Sequence, residues 1–271
     1  LAQAFRRLGS EVTILTRDPK VLPKEDRDLA ELVLKNFESE GIQMQTEVQV
    51  ERIEKKNSEQ QVYFRKDGVE QHIKADHILL ATGRKPGTSG LGLKEVGVEL
   101  NPDGTVKVDP FLRSSIPNIY ACGDVAGPFQ FTHVAGHQAW YATVNALFSP
   151  FKKFAVDYRV VPWCTFTDPE LARVGLSEED ALAQNIAYEK TTFDLSGLDR
   201  AIAERNNYGM IKVLTKPGKD QILGAAICGP HAGDLLSEFV LAMKHGIGLN
   251  KILGTIHAYP TYADANKLTA G

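Results

Sequence analysis

Two short stretches of this chain hold residues that could bind or act on a ligand. The first is Thr16-Arg17, with Lys20 nearby, at the end of a β-branched run over residues 11–16. A carboxylate at the end of such a strand would accept hydrogen bonds from the ribose hydroxyl of NAD. A guanidinium there suits the 2′-phosphate of NADP, because it grips phosphate with a fork of N–H donors. A solvated basic turn would carry the same residues. The second stretch is Gly123-Asp124, directly after the apolar run of residues 118–122. A carboxylate at a strand's C-terminal end can accept from a ligand's hydroxyls, since ligands of open α/β sheets bind there. It can equally cap a turn. The residues alone do not choose.

Other reactive side chains argue against further chemistry. Cys122, Cys164 and Cys228 are odd in number and far apart. They make neither a disulfide framework nor a metal site by spacing, and each reads as a small buried hydrophobe. Unpaired thiols point to a reducing compartment, and a cytoplasmic location is expected. His231 and His245 flank a helix without ligand spacing. Asp194, Arg200 and Arg205 read as a solvated face.

The elements that must position these residues can be outlined. Residues 1–8 read as a helix ended by Gly9, and residues 11–16 as a strand. A helix running into a buried strand is the second half of a βαβ unit, so a longer parent protein is expected. Residues 26–40 carry Leu29, Leu32, Val33 and Phe37 near helical spacing and stop at Gly41. A strand is expected over residues 42–53. A hairpin over residues 61–73 turns at Asp67-Gly68. Residues 77–81 read as a short buried strand, and 118–122 as another. Residues 133–148 read as a helix and 150–158 as a linker. From residue 159 the pattern becomes strand, helix, three strands and helix, an α+β domain of ordinary size.

Bulk properties agree with a globular protein. Of 271 residues, 43% are hydrophobic and 24% charged, enough for normal cores. The net charge of -3 gives no reason to expect nucleic acid or an acidic membrane as a partner. No apolar run is long enough to span a bilayer.

Thr82-Gly83-Arg84-Lys85-Pro86, Val108-Asp109 and Ser114-Ser-Ile-Pro-Asn-Ile-Tyr-Ala-Cys-Gly-Asp-Val125 together resemble the pyridine nucleotide–disulfide oxidoreductases. So do Val161-Pro-Trp-Cys-Thr-Phe-Thr-Asp-Pro-Glu170 and Val174-Gly-Leu-Ser-Glu178, and the order is the family's. The resemblance implies an α/β nucleotide-binding (Rossmann-like FAD/NAD(P)) portion followed by an α+β dimerisation domain. It implies residues 1–82 as a NAD(P)-binding domain lacking its first strand and glycine loop. Residues 83–157 would be the C-terminal part of an FAD-binding domain, and 158–271 the dimerisation domain of a homodimer. The implied cofactors are FAD and NADP or NAD. Gly123 and Asp124 would bind the ribityl chain. Phe131, Thr132 and Ala135 would lie near the flavin, with a helix N-terminus at its pyrimidine end. Gly83 would sit where nicotinamide and flavin domains meet, and Thr16 and Arg17 would face the nicotinamide nucleotide.

The pattern departs near the end of the chain. Disulfide-reducing members carry His-Pro followed by a Glu; here the stretch is His257-Ala-Tyr-Pro-Thr-Tyr-Ala-Asp264, with Tyr259 before the proline and Asp264 at the Glu position. A phenol with a pKa near about 10 shuttles protons poorly at neutral pH. Mercuric reductases resemble this chain in having Tyr there. Tyr259 could therefore serve a site near a metal ion or other acceptor, His257 could replace the missing base from the same face of an extended segment, or Tyr259 could be an interface aromatic. The expected activity of the parent runs from NAD(P)H through FAD to a disulfide, a metal ion or another acceptor, with Tyr259 and Asp264 acting across the dimer. The alternatives are a dihydrolipoamide-dehydrogenase-like parent, or a piece that folds and dimerises but is inactive by itself.

Overall fold

The computed structural model describes residues 1–57 and 59–271. In chain order the elements are α1 (Ala2–Arg7), β1 (Thr13–Leu15), α2 (Arg27–Ser39), β2 (Gln43–Gln45), β3 (Gln49–Lys56), β4 (Glu59–Lys66), β5 (Val69–Ala75) and α3 (Thr132–Phe148). Then come β6 (Pro162–Thr165), β7 (Glu170–Gly175), α4 (Glu178–Ala183), β8 (Glu189–Asp194), α5 (Asp199–Ala203), β9 (Met210–Thr215), β10 (Ile222–Gly229), α6 (Ala232–His245), α7 (Leu249–Leu253) and α8 (Asp264–Ala270). They form two compact units: Leu1–Leu79 with Pro162–Gly271, and Leu80–Val161.

In the first unit, β1 and β2 pair in parallel, from Thr13 opposite Gln43 to Leu15 opposite Gln45. Helix α2 turns Leu29, Ala30, Val33 and Phe37 to one side, the 3.6-residue stripe expected of it. That stripe, with Ile42, packs on Leu171 of β7 and on Ala226 and Cys228 of β10. Leu29, Val33 and Phe37 are almost wholly buried. Burial of this kind stabilises by roughly 1.5–3 kcal/mol per side chain.

The expected strand over residues 42–53 is two strands in two sheets. Glu47 adopts φ 57 between them, and a left-handed residue redirects the chain. β3, β4 and β5 form an antiparallel meander. Its second turn is the expected Asp67-Gly68, where both residues have positive φ, the conformation this dipeptide favours.

The larger sheet has the order β6-β7-β10-β9-β8, with every pairing antiparallel. Its middle strands are buried along most of their length. Helix α6 covers β10 and β7, and α8 covers β8 and β9. Ser177 and Asp180 close a reciprocal capping box at the start of α4. Strand β7 was not foreseen from the sequence.

Two expected strands are absent. Residues 77–81 pair with none of the described strands, and Leu79 and Leu80 are 61% and 71% exposed. An apolar run becomes a strand only where neighbours offer a ladder, and periodicity cannot supply them. Residues 118–122 make one bridge, Tyr120 opposite Arg113, and are otherwise irregular.

The second unit is built of loops around Val98, Val106, Ala121 and Ala126, with α3 beside them. Buried polar side chains hold those loops. Asn145, 1% exposed, donates to the carbonyls of Phe111 and Phe154 and accepts from the Phe154 N–H. The stretch expected as a linker, residues 150–158, is thus pinned to α3. Among the described residues, no helix is long and apolar enough to cross a membrane.

Candidate functional site

Gly123 opens a short 3-10 turn, Gly123–Val125, at the mouth of the second unit's core. Its φ is +76°, and a Cβ there would stand 3.3 Å from the Ala135 methyl on α3. The positive φ favours glycine, and a Cβ would crowd the Ala135 methyl. The Gly123 N–H donates to the buried Gln138 side chain at 2.6 Å. The Gln138 amide in turn donates to the Gly127 carbonyl (2.9 Å) and the Tyr158 hydroxyl (2.6 Å). Gln138 is the residue that sequence reasoning missed here. Its signal was a lone amide inside the apolar run of α3, on the face of Val134, Ala142 and Asn145.

This clamp fixes the backbone while leaving the Asp124 carboxylate half exposed. Arg84, next to the exposed Gly83, donates to the Gln130 carbonyl at 2.6 Å and lies 4.0 Å from Asp124. Gly83 has φ +143°, with open space where a Cβ would be. Helix α3 begins at Thr132 with no side-chain cap from its N-cap residue Phe131. The Phe131 ring stacks between those of Phe129 and His133. Gly83, Gly123, Asp124, Phe131, Thr132 and Ala135 therefore belong to one unit. It presents a carboxylate, a tight glycine turn and a helix N-terminus, whose partial positive charge suits an electron-rich group.

The basic turn after β1 is simpler than expected. The Thr16 hydroxyl accepts from the Asp18 N–H at 3.2 Å, and Arg17 is exposed. Lys20 is committed elsewhere: its ammonium donates to Glu179 (2.5 Å) and to the Glu25 carbonyl (3.2 Å).

At the C-terminal end, the structure gives His257 and Tyr259 different partners. His257 Nε2 lies 2.9 Å from Glu238, and Nδ1 lies 3.1 Å from the Thr255 carbonyl. The imidazole side chain is only 7% exposed. Tyr259 is 71% exposed, and its hydroxyl donates to the Asp199 carboxylate at 2.8 Å. That hydrogen bond, with the negative charges of Asp199 and Asp264, raises the phenol above its usual pKa. Tyr259 therefore stays a neutral phenol at neutral pH. Tyr262 makes a matching bond to Glu204 at 3.0 Å, so α5 and the 259–264 turn are held together twice. Asp199 and Glu204 had no signal in the sequence, since they stand about 60 residues away from their partners.

The remaining candidates are structural. Burial pushes the thiols of Cys164 and Cys228 up to about 12, so neither is a thiolate near neutrality. The carboxylates of Asp26, Asp28 and Glu178 converge within metal-ligand reach, but the cation among them is Lys212, at 3.2, 2.6 and 2.6 Å. Nearby, Arg173 pairs with Glu25 at 3.1 Å and with Asp180 at 2.6 Å, and lies over the Trp163 ring. These networks rivet the segment before α2 to the large sheet.

Two family models match the chain in series. Residues 1–139 match the family model for pyridine nucleotide-disulphide oxidoreductases, and residues 161–270 match the model for their dimerisation domain. The chain is 37% identical over 268 residues to a dihydrolipoyl dehydrogenase of Thermus scotoductus, covering 97% of the chain and 57% of that relative. It is 34% identical over 270 residues to a mercuric reductase of Lysinibacillus sphaericus, covering 100% of the chain and 49% of that relative. Among solved structures it superposes on the HOCl-induced flavoprotein disulfide reductase RclA of Escherichia coli, solved as a Cu(II) complex, with a TM-score of 0.90 and 27% identity. That match covers 99% of the chain and 60% of RclA. LpdA of Mycobacterium tuberculosis gives a TM-score of 0.91 at 27% identity, over 99% of the chain and 57% of that protein. The chain thus spans about half the length of the curated relatives it matches. With both models matched in series, the chain belongs to the pyridine nucleotide-disulphide oxidoreductase family.

Proposed function

We propose that this chain is the nicotinamide-binding, flavin-contacting and dimerising portion of an oxidoreductase that passes electrons from NAD(P)H through FAD to an acceptor. The observation that carries the reading is the Gly123 turn, locked by Gln138 and Ala135 so that Asp124 projects outward. The residues fit a flavin. Asp124 would accept from ribityl hydroxyls, and Ala135 beside Gly123 would let a planar ring system approach closely. The first turn of α3, at Phe131 and Thr132, would face the pyrimidine end. When bound, FAD supplies a two-electron carrier between nicotinamide and acceptor.

In this reading residues 1–82 hold the nicotinamide nucleotide, 83–157 one side of the flavin, and 158–271 the homodimer interface. Tyr259, Asp264 and His257 serve the acceptor side of the partner's flavin. The full-length protein should be yellow and bleach with NADPH. Asp124→Ala should lower its flavin content about tenfold or more, through the loss of charge-assisted hydrogen bonds. A colourless full-length protein that cannot be reconstituted with FAD would sink the proposal.

Arg17 supports NADP over NAD as donor, because it is an exposed cation at the end of β1. Arg17→Ala should raise KM for NADPH about tenfold or more, the size of one lost phosphate contact, and leave KM for NADH nearly unchanged. Equal changes for both would place the 2′-phosphate elsewhere.

A phenol that stays protonated is a poor proton-shuttling base, so Tyr259 favours an acceptor whose reduction needs no such base, a metal ion among them. The relatives' names span both possibilities, lipoyl and mercuric. Steady-state assays with lipoamide, with a mercuric thiolate and with a quinone would separate them. Turnover with lipoamide alone would overturn the preference.

A further inference from the structure

Glu238 stands in the middle of α6, and its carboxylate meets two other parts of the first unit. Oε1 lies 2.9 Å from His257 Nε2. Oε2 accepts from the Asn266 side-chain amide at 2.9 Å. The same amide nitrogen also donates to the Leu235 carbonyl of α6 at 2.9 Å. Asn266 is 1% exposed and the His257 side chain 7%. Both are buried within this chain, so nothing outside it is needed to make the contacts.

These contacts bracket the segment that carries Tyr259 and Asp264. His257 comes two residues before the first, and Asn266 two residues after the second. Asn266 also lies in the first turn of α8, the helix that begins at Asp264. A chain held at both ends explores fewer conformations than one held at a single end. His257 Nδ1 faces the Thr255 carbonyl as well, so both ring nitrogens meet oxygen acceptors inside the fold. We propose that Glu238 is a positioning residue: by holding His257 and Asn266 together, it sets the place of Tyr259 and Asp264 for the acceptor step. The proposal rests on the acceptor-side reading of Tyr259 and Asp264 given above. His257 then serves by holding the segment, and Glu238 itself touches no substrate.

The test compares Glu238→Ala with Glu238→Gln in the full-length protein. Alanine removes both contacts, while the glutamine amide keeps an oxygen for Asn266 and an N–H for His257. In Glu238→Ala, amide hydrogen exchange over residues 258–265 should quicken about tenfold or more, with β9 and β10 unchanged. Turnover with a mercuric thiolate should fall about tenfold to a hundredfold, the cost of misplacing a group near the chemistry by about an ångström. Flavin content and the anaerobic bleaching of the flavin by NADPH should stay within about twofold, since only the acceptor step is touched. Glu238→Gln should recover most of what alanine loses. Should the alanine chain not fold, Glu238→Asp, whose carboxylate is one methylene short of both partners, takes its place in the same comparison. Unchanged exchange over 258–265, or bleaching that slows along with turnover, overturns the proposal. So does turnover that holds in Glu238→Ala while Tyr259→Phe loses it. If exchange quickens but turnover holds in both variants, Glu238 still clasps the segment and the acceptor-side reading of Tyr259 is what falls.

Discussion

Tyr259→Phe in the full-length protein is expected to lower turnover about a hundredfold with flavin content unchanged, the scale of losing one positioned proton donor. The ring would remain, so packing at this exposed position should hold. What disappears is an O–H already oriented, because it donates to Asp199 at 2.8 Å and sits within the field of Asp264. The sign of the pH dependence follows from the same partners. Two carboxylates raise the phenol above its ordinary 10, so the donor persists through neutrality and is lost only as pH rises past that range. Asp199→Asn removes the hydrogen-bonded charge and should move that alkaline limb to lower pH. The check is kcat and flavin absorbance in parallel across pH. Unchanged kcat in Tyr259→Phe would reduce this residue to an interface aromatic.

Lys212→Met should be the most damaging single change to stability, by about 3 kcal/mol, because it strands buried carboxylate charge without its cation. The Lys212 side chain is 1% exposed and Asp26 is 4% exposed; Glu178 and Asp28 are more open and will be eased by water. Burial pulls the Lys212 ammonium down, but hydrogen bonds to Asp28 and Glu178 override it and raise the pKa above 10.5. For Glu178, burial pushes upward, yet Lys212, Tyr188 and Lys190 carry the net shift below 4.5. A raised lysine stabilises fully below its unfolded pKa and loses that contribution as pH climbs through the folded one. A lowered carboxylate stabilises above its unfolded pKa and loses that contribution as pH falls through the folded one. The gap in melting temperature between Lys212→Met and the parent should therefore be widest between pH 4.5 and 10.5 and close on both sides. A gap constant from acid to alkali would mean that lost packing, not lost charge pairing, sets the effect.

The sequence was most legible where a signal is local. The stripe Leu29, Val33, Phe37 announced α2, Asp67-Gly68 announced the hairpin, and the ordered motifs around Gly123 announced the family. It was least legible where the deciding partner lies far along the chain. Residues 77–81 and 118–122 have the composition of strands, but strand character belongs to a pair, and neither run has a full ladder here. The clamp on Gly123 depends on Gln138, and the raised pKa and orientation of the Tyr259 hydroxyl depend on Asp199; neither residue forms a motif with the group it controls. Lys20 shows the converse. Its type and place matched a phosphate ligand, yet Glu179, 159 residues away, already holds it.

The first unit is discontinuous in sequence, which bears on how the protein is made. Part of the cover of the apolar α2 stripe comes from Leu171, Ala226 and Cys228, far along the chain. On a ribosome, α2 emerges long before those strands exist. With synthesis at about 5–20 residues per second, the stripe stays without that part of its cover for roughly 10–40 s while the intervening residues are added. During that interval Leu29, Val33 and Phe37 are a sticky surface on a nascent chain. The basic and acidic residues on the opposite side of α2, together with whatever holds unfolded chains in the cell, must keep it from the wrong partner until β10 arrives.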